Sequence, residues 1–220
     1  MVSSAIKKTE PYIWTTWLSP LLAGDTHCEW AAWFQSNYKF EKEQSYFNDW
    51  IVQHERLLDR RVQELESEGF TVYIEDENKF TITGRDKITK VAGKADIVAI
   101  KGNQAIVEDC KTGKRRNSDV MQVLIYMLLL PAPGGPKHCK GLNFDGRLVY
   151  NDCVMDIDSL MLDEAFKADF RRLVSAISNS EPGRKAPSLR ECRYCKISSN
   201  YCPEKFEEEA NEDFEEHDIF

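Results

Sequence analysis

The chain has 220 residues, 42% of them hydrophobic and 30% charged, which suits a folded domain with a well-buried core and excludes a disordered or fibrous class. The longest apolar run, "VLIYMLLL", is too short to span a bilayer, and the start "MVSSAIKKTEPYIW" lacks the apolar stretch of a secretory signal, so no membrane association and a cytoplasmic location are expected. From Glu204 to Phe220 nine acids face one lysine, while the preceding 203 residues hold 28 acids and 28 bases, so the formal charge of −8 sits in the tail and does not exclude a nucleic-acid ligand.

In chain order, Thr26 to Tyr38 reads as a short aromatic-rich helix. Glu41 to Glu68 reads as a long helix with Phe47, Trp50, Ile51, Leu58, Val62 and Leu65 on its apolar face, stopped by Gly69. "FTVYIED" and "KFTITGRDKITKVAGKADIVAIKGNQAIVEDCK" carry the β-branched alternation and turn residues of a mostly antiparallel sheet. Asn117 or Ser118 can cap a helix that runs to Leu130 before Pro131, and "APGGPKHCKG" is a loop. A strand or hairpin around "GRLVYNDCVMDI" and a helix from Asp158 or Ser159 to about Ser178 follow; the cysteine-rich end is irregular. The fold class expected is α/β (α+β), a mixed β-sheet flanked by helices. Four regions are expected: a helical segment over 1–40, a core over 41–180, a cysteine-rich region over 181–203 and a flexible acidic tail over 204–220.

The densest chemistry lies in "VEDCKTGK", Val107 to Lys114. With Gly102-Asn103 as a two-residue hairpin turn, residues whose numbers sum to 205 face each other. Asp96 then lies opposite Asp109 with Cβ atoms about 5 Å apart, Lys111 shares their face, and Glu108 and Cys110 point to the other side. Two carboxylates so close repel unless a cation or proton lies between them, and hard oxygen ligands at this spacing suit Mg²⁺ or Mn²⁺. A lysine beside them can orient or help deprotonate a metal-bound water, or stabilise charge developing on a phosphodiester. The plain alternative is a cross-strand ion cluster on an exposed hairpin face. His54 lies on the apolar face of the long helix, where a hydrogen-bonded core histidine is the common case. Gln122 and Tyr126, four apart, share one face of the following helix.

Taken together, His54, Asp96 in "GKADIVAI", Asp109-Cys110-Lys111, and Gln122 with Tyr126 in "QVLIY" resemble the RecB-like branch of the PD-(D/E)XK nuclease superfamily, in which these motifs occur in this order. The resemblance implies a restriction-endonuclease-like core. It implies that His54, Asp96 and Asp109 bind Mg²⁺ or Mn²⁺, with the Cys110 carbonyl as an extra ligand. Lys111 would serve the attacking water, and Gln122 and Tyr126 would order the site and the DNA strand. An aspartate stands in the third motif where glutamate is common.

Seven cysteines, an odd number, argue against a disulfide framework in an intracellular chain. Cys192, Cys195 and Cys202 crowd into one short stretch as a metal site would, and Cys28 upstream can supply a fourth ligand, with His27 an alternative if the metal is zinc. One N-terminal cysteine and a C-terminal trio bracketing the nuclease motifs resemble the iron–sulfur nucleases, and a chain of this size is most similar to the CRISPR-associated RecB-like exonucleases of spacer acquisition. That resemblance implies an iron–sulfur cluster, 4Fe-4S rather than 2Fe-2S, joining the two ends of the chain, with zinc the alternative. It also implies a DNA exonuclease, with endonuclease activity a further option, acting on single-stranded DNA or ends beside a CRISPR spacer-integrase complex. A related nuclease of recombination, repair or a mobile element, and a non-cutting zinc-stabilised binding module, are the other readings. Lys114, Arg115 and Arg116 after the lysine strand are expected to meet a phosphate backbone, and Arg171, Arg172, Arg184, Lys185, Arg190, Arg193 and Lys196 add positive charge near the cysteine end. Trp30, Trp33 and Tyr38 can stack bases, though core packing is the simpler role.

Overall fold

The computed structural model describes residues 4–42 and 48–206. Phe47, the side chain of Trp50 and the tail beyond Phe206, all part of the sequence-based expectations, lie outside the described residues.

The main sheet has five strands in the order β10-β9-β8-β7-β4: β4 is Thr71–Ile74, β7 Ile97–Lys101, β8 Gln104–Lys111, β9 Phe144–Tyr150 and β10 Val154–Ile157. Strand β8 pairs antiparallel with β7 and parallel with β9, so the sheet is mixed. Its register brings Ile97 opposite Glu108 and Lys101 opposite Gln104, around a Gly102-Asn103 turn in which Gly102 takes φ +58°. That is the pairing expected from the turn chemistry. A second sheet, β2-β6-β5, joins β2 (Tyr12–Trp14) in parallel to β6 (Lys90–Lys94), and β6 antiparallel to β5 (Lys79–Thr83). The chain leaves this sheet at Lys94 and enters the main one at Ile97, so Asp96 occupies the junction. A two-stranded pair joins β1 (Ile6–Lys7) to β3 (Tyr38–Lys39). The first 40 residues thus add strands to the sheets as well as helices.

Helix α3 (Asn48–Ser67) covers one face of the main sheet, and α4 (Asn117–Leu129) covers the other. Under α3 lie Leu57, Leu58 and Leu65 with Ile97, Ala99, Ile106, Cys110 and Val149. Under α4 lie Val98, Val107 and Leu148 with Val123, Leu124 and Met127. The alternation of β7 and β8 residues between the two clusters follows from the two-residue side-chain period of a strand. Gly146 in β9 lets α4 settle close: a Cβ there would stand 2.6 Å from both Met127 Sδ and Val123 Cγ1. Helix α1 (Thr15–Leu22) packs on α4 and on α5 (Glu164–Ser178), and α2 (Glu29–Asn37) packs on α5. A short α6 (Leu189–Arg193) closes the cysteine end.

Several local expectations need correction. Ile51 is 47% exposed rather than part of the apolar face, because α3 at that point has run past the end of β7, where His54 meets Asp96. The long helix does not begin at Glu41, since residues 41 and 42 are not helical. Its end is as expected: Gly69 takes φ +86°, and the amides of Gly69 and Phe70 close on the carbonyls of Glu66 and Leu65. Neither Asn117 nor Ser118 caps α4 with its side chain; the Asp119 carboxylate accepts from Arg116 N at 3.1 Å, and distant Asp25 accepts from Ser118 N at 3.1 Å. Asp158 caps only the 3-10 turn Ser159–Met161, and α5 starts later, where the Asp163 side chain accepts from Phe166 N. Trp30 and Trp33 are each 8% exposed and pack with Phe34, Ile197 and Cys202, so core packing, not base stacking, is their role. Among the described residues no helix is long and apolar enough to cross a membrane.

One buried ion pair bolts α3 to the sheet. Arg61 reaches Glu108 with Nε to Oε2 at 2.7 Å and Nη2 to Oε1 at 2.8 Å, while Glu108 is fully buried. Breaking such a pair from one side leaves the buried Glu108 with the longer 3.5 Å contact to Arg147, at a cost of up to about 3–5 kcal/mol, whereas an apolar replacement of both partners is often tolerated. Arg61→Leu is therefore expected to lower unfolding free energy in urea by up to about 3–5 kcal/mol, and the Arg61→Leu/Glu108→Leu double variant to recover most of that loss. Equal destabilisation by single and double variants would contradict this assignment.

Candidate active site

The site forms at the end of β8 where three elements meet it. Asp96, at the sheet junction, is held by its own backbone: its carbonyl accepts from Glu75 N at 2.9 Å. Its carboxylate Oδ2 accepts from Cys110 N at 2.8 Å and lies 3.2 Å from His54 Nε2 on α3. Asp96 lies opposite Asp109 by continuation of the β7–β8 register, as expected, but it stands at the strand end, where α3 can reach it round the edge of the sheet. Hydrogen bonding to Asp96 holds the His54 imidazole above its ordinary pKa, against the opposing effect of burial.

Asp109 is 2% exposed. Burial pushes its carboxyl up to about 7; Lys111 opposes the rise and Asp96 adds to it. Burial lowers the Lys111 ammonium, yet Asp109 and Asp96 outweigh it and hold that group above its ordinary value. Lys111 Nζ stands 2.5 Å from Asp109 Oδ2 and donates to Gln122 Oε1 at 3.2 Å. The Gln122 amide nitrogen donates to Asp109 Oδ1 at 3.3 Å and to Tyr126 OH at 2.7 Å, and Tyr126 OH donates to the Lys94 carbonyl at 2.9 Å. One unbroken chain of hydrogen bonds thus runs from β8 through α4 to the end of β6. Gln122 and Tyr126 reach it together because residues four apart share a helix face.

Among the described residues no three His, Cys, Asp or Glu side chains already converge as a metal cage. Asp109 Oδ2 is nevertheless a buried oxygen with no aligned hydrogen bond among the described residues, 2.5 Å from the Lys111 ammonium. An electrostatically frustrated carboxylate beside a second one is the donor chemistry that Mg²⁺ or Mn²⁺ uses, with water filling the remaining positions. The residues fit such an ion, with His54 beside them, although its Nε2 must lose any proton before it can ligate. The Cys110 side chain is 2% exposed and packs under α3, which leaves only its backbone to take part at the site.

At the other end of the molecule, Cys28, Cys192, Cys195 and Cys202 all line one pocket of about 390 Å³, and none is in a disulfide. Burial raises the Cys195 and Cys202 thiols, and both feel Cys28. The pocket wall includes Lys185 and Lys205, but His27 is not among its lining residues. Glu191 ties the two halves together, accepting from His27 N and Cys28 N at 3.0 Å each. Four thiols line one pocket together with Lys42, Lys185, Lys196 and Lys205, a set that could hold an anionic thiolate-bound metal centre, although among the described residues they do not converge as a finished cage. Cys110 and Cys139 are core residues, and Cys153 is partly buried.

Lys114, Arg115 and Arg116 are exposed just beyond β8. Arg115 pairs with Asp152 at 3.0 Å and lies over the Tyr150 ring, 5.1 Å from its centroid. Arg171, Arg172 and Lys185 form ion pairs with Glu164, Glu29 and Glu204 respectively. Sequence reasoning missed Arg61 as the partner of Glu108. Its seven-residue spacing from His54 was the available signal, since that interval returns a helix to the same face.

No curated protein matches the chain. A solved structure described as "Crystal structure of SSO0001" is similar to it at 22% identity and a TM-score of 0.48, over 91% of this chain and 90% of that one, a likeness too slight to carry more. The sequence matches the PD-(D/E)XK nuclease superfamily over residues 21–203. That match covers the whole of the main sheet, including the end of β8 described above, and the chain belongs to the PD-(D/E)XK nuclease superfamily.

Proposed function

We propose that this protein is a Mg²⁺- or Mn²⁺-dependent deoxyribonuclease that trims single-stranded DNA or single-stranded ends, chiefly as an exonuclease. What supports the reading is the convergence of Asp96, Asp109, Lys111, Gln122 and Tyr126 on one end of the main sheet, with His54 brought in by α3. His54, Asp96, Asp109 and the Cys110 carbonyl would hold the ion. Bound there, it would supply an acidified water and neutralise charge on a phosphoryl oxygen. The chain's own groups do the rest. The Lys111 ammonium, kept protonated by its acidic neighbours, stabilises negative charge that develops on the phosphate. Gln122 fixes both Lys111 and Asp109, and Tyr126 fixes Gln122, so the positive group is oriented before substrate arrives.

Cys28, Cys192, Cys195 and Cys202 are read as the ligands of an iron–sulfur cluster, 4Fe-4S rather than zinc. The cluster would fasten the 181–203 region to the N-terminal segment over the nuclease core. In cellular terms we place the activity in the cytoplasm, in CRISPR spacer acquisition beside a spacer-integrase complex. The resemblance of motif order and cysteine placement supports that setting.

Lys111→Ala is expected to lower cutting of end-labelled single-stranded DNA in Mn²⁺ by about 10²- to 10³-fold, the usual cost of one preorganised electrostatic group, and a chelator should abolish it in the wild type. Cutting that survives both changes would reject the mechanism. Cys195→Ala should give protein that has lost its brown colour and iron and melts at a lower temperature. Full iron content with an unchanged melting temperature would reject the ligand assignment.

A further inference from the structure

A second cavity, of about 1010 Å³, lies between the first turn of α4 and helix α6. Four arginines line it: Arg115 and Arg116 on the α4 side, Arg190 and Arg193 on the α6 side. Only two acids share the lining, Asp25 and Glu191, and both are already committed to backbone amides, Asp25 to Ser118 N and Glu191 to His27 N and Cys28 N. The groove is therefore cationic in a chain whose net charge is negative. Tyr194, 76% exposed, stands at its rim. An aromatic ring so open forfeits the burial that usually accounts for its presence, and it shares the groove lining with four arginines as well as Leu189 and Pro20.

The groove shares helix α4 with the candidate active site, although none of the site residues lines it. Arg116 is the N-cap of α4, and Asp119, Gln122 and Tyr126 follow on successive turns of that helix. Asp119 is near enough to act electrostatically on both Asp109 and Lys111. On the far wall, Arg193 and Tyr194 are the two residues between Cys192 and Cys195: both are exposed, and Tyr194 lines the groove and the cysteine pocket alike, so it stands on the ridge between the two cavities. The Arg115–Asp152 contact does not close the groove, because an ion pair between such exposed partners is worth at most about 1 kcal/mol and is readily exchanged for a phosphate.

We propose that this groove is the path of a single DNA strand leading to the active site, with Arg115, Arg116, Arg190 and Arg193 on successive phosphates and the Tyr194 ring stacked on an unpaired base. A backbone tracked by guanidinium groups with an open aromatic beside it is the chemistry of single-strand binding, since every base has a face on which to stack and a duplex hides those faces. The inference deepens the nuclease reading and rests on it for the identity of the strand.

The test is fluorescence anisotropy of labelled oligothymidylate at several salt concentrations, with the full chain carrying Lys111→Ala so that the probe stays intact. Adding Tyr194→Ala should weaken binding about 5- to 100-fold, Tyr194→Phe should restore it, and blunt duplex of equal length should show no such loss. Arg190→Ala should make the salt slope shallower by about 0.7, the value for one phosphate contact on a single strand. Unchanged affinity with Tyr194→Ala and an unchanged slope with Arg190→Ala would overturn the proposal, as would an equal Tyr194 effect on duplex. Binding and cutting separate the two readings. If wild type cuts in Mn²⁺ while Tyr194→Ala binds normally, the groove is wrong and the nuclease stands. If wild type never cuts while Tyr194→Ala binds poorly, the nuclease is wrong and the groove stands.

Discussion

The register between β7 and β8 sets what every other part of the site can do. Ile97 pairs with Glu108 across a two-residue turn whose first member, Gly102, sits at φ +58°, a conformation that glycine adopts without strain. Because side chains alternate along a strand, this one choice sends Asp109 and Lys111 toward α4 and Glu108 and Cys110 toward α3. A slip of one residue would exchange the two sets. Asp109 would face the leucines of α3, and Glu108 would lose Arg61. Both faces therefore enforce the register, one by a bidentate buried ion pair and the other by the Gln122 hydrogen bonds.

The same pairing explains how a cluster of two carboxylates and a lysine can be built into a folded core. A carboxylate that is 2% exposed is costly, and here the cost is met by Lys111 and Gln122 rather than by water. The arrangement remains under electrostatic tension: burial, Asp96 and Asp119 raise Asp109, while Lys111 opposes them. A divalent cation bound there would relieve that tension in one step. On the opposite face, Arg61 and His54 sit seven residues apart on α3, so the pair that anchors the helix also sets the height at which the imidazole meets Asp96.

Much of the local arrangement was legible in the sequence because it depends on short-range rules. The Gly102-Asn103 turn, the sum of 205, the facing of Gln122 and Tyr126, and the Gly69 stop all follow from turn chemistry and periodicity, and all are found. What escaped depends on chain segments far apart. The division into two sheets requires β2 to pair with β6 across most of a hundred residues, and no local pattern announces a parallel partner. Nor does any local pattern mark the Asp25 carboxylate as the acceptor for Ser118 N at the start of α4. Ile51 obeyed the helical period yet lies exposed, because periodicity cannot say where the sheet beneath a helix ends. Arg61 was passed over for the same kind of reason: an arginine on an apolar face is noticed only once its buried acid is known.

The central claim is that Asp96 and Asp109, brought together by one hairpin, share a single divalent ion. It is tested most directly by titrating Mn²⁺ into the wild type, Asp96→Asn and Asp109→Asn while following free Mn²⁺ by electron paramagnetic resonance. One Mn²⁺ taken up by the wild type and lost from each variant is the predicted result. Uptake in both variants that matches the wild type would contradict it.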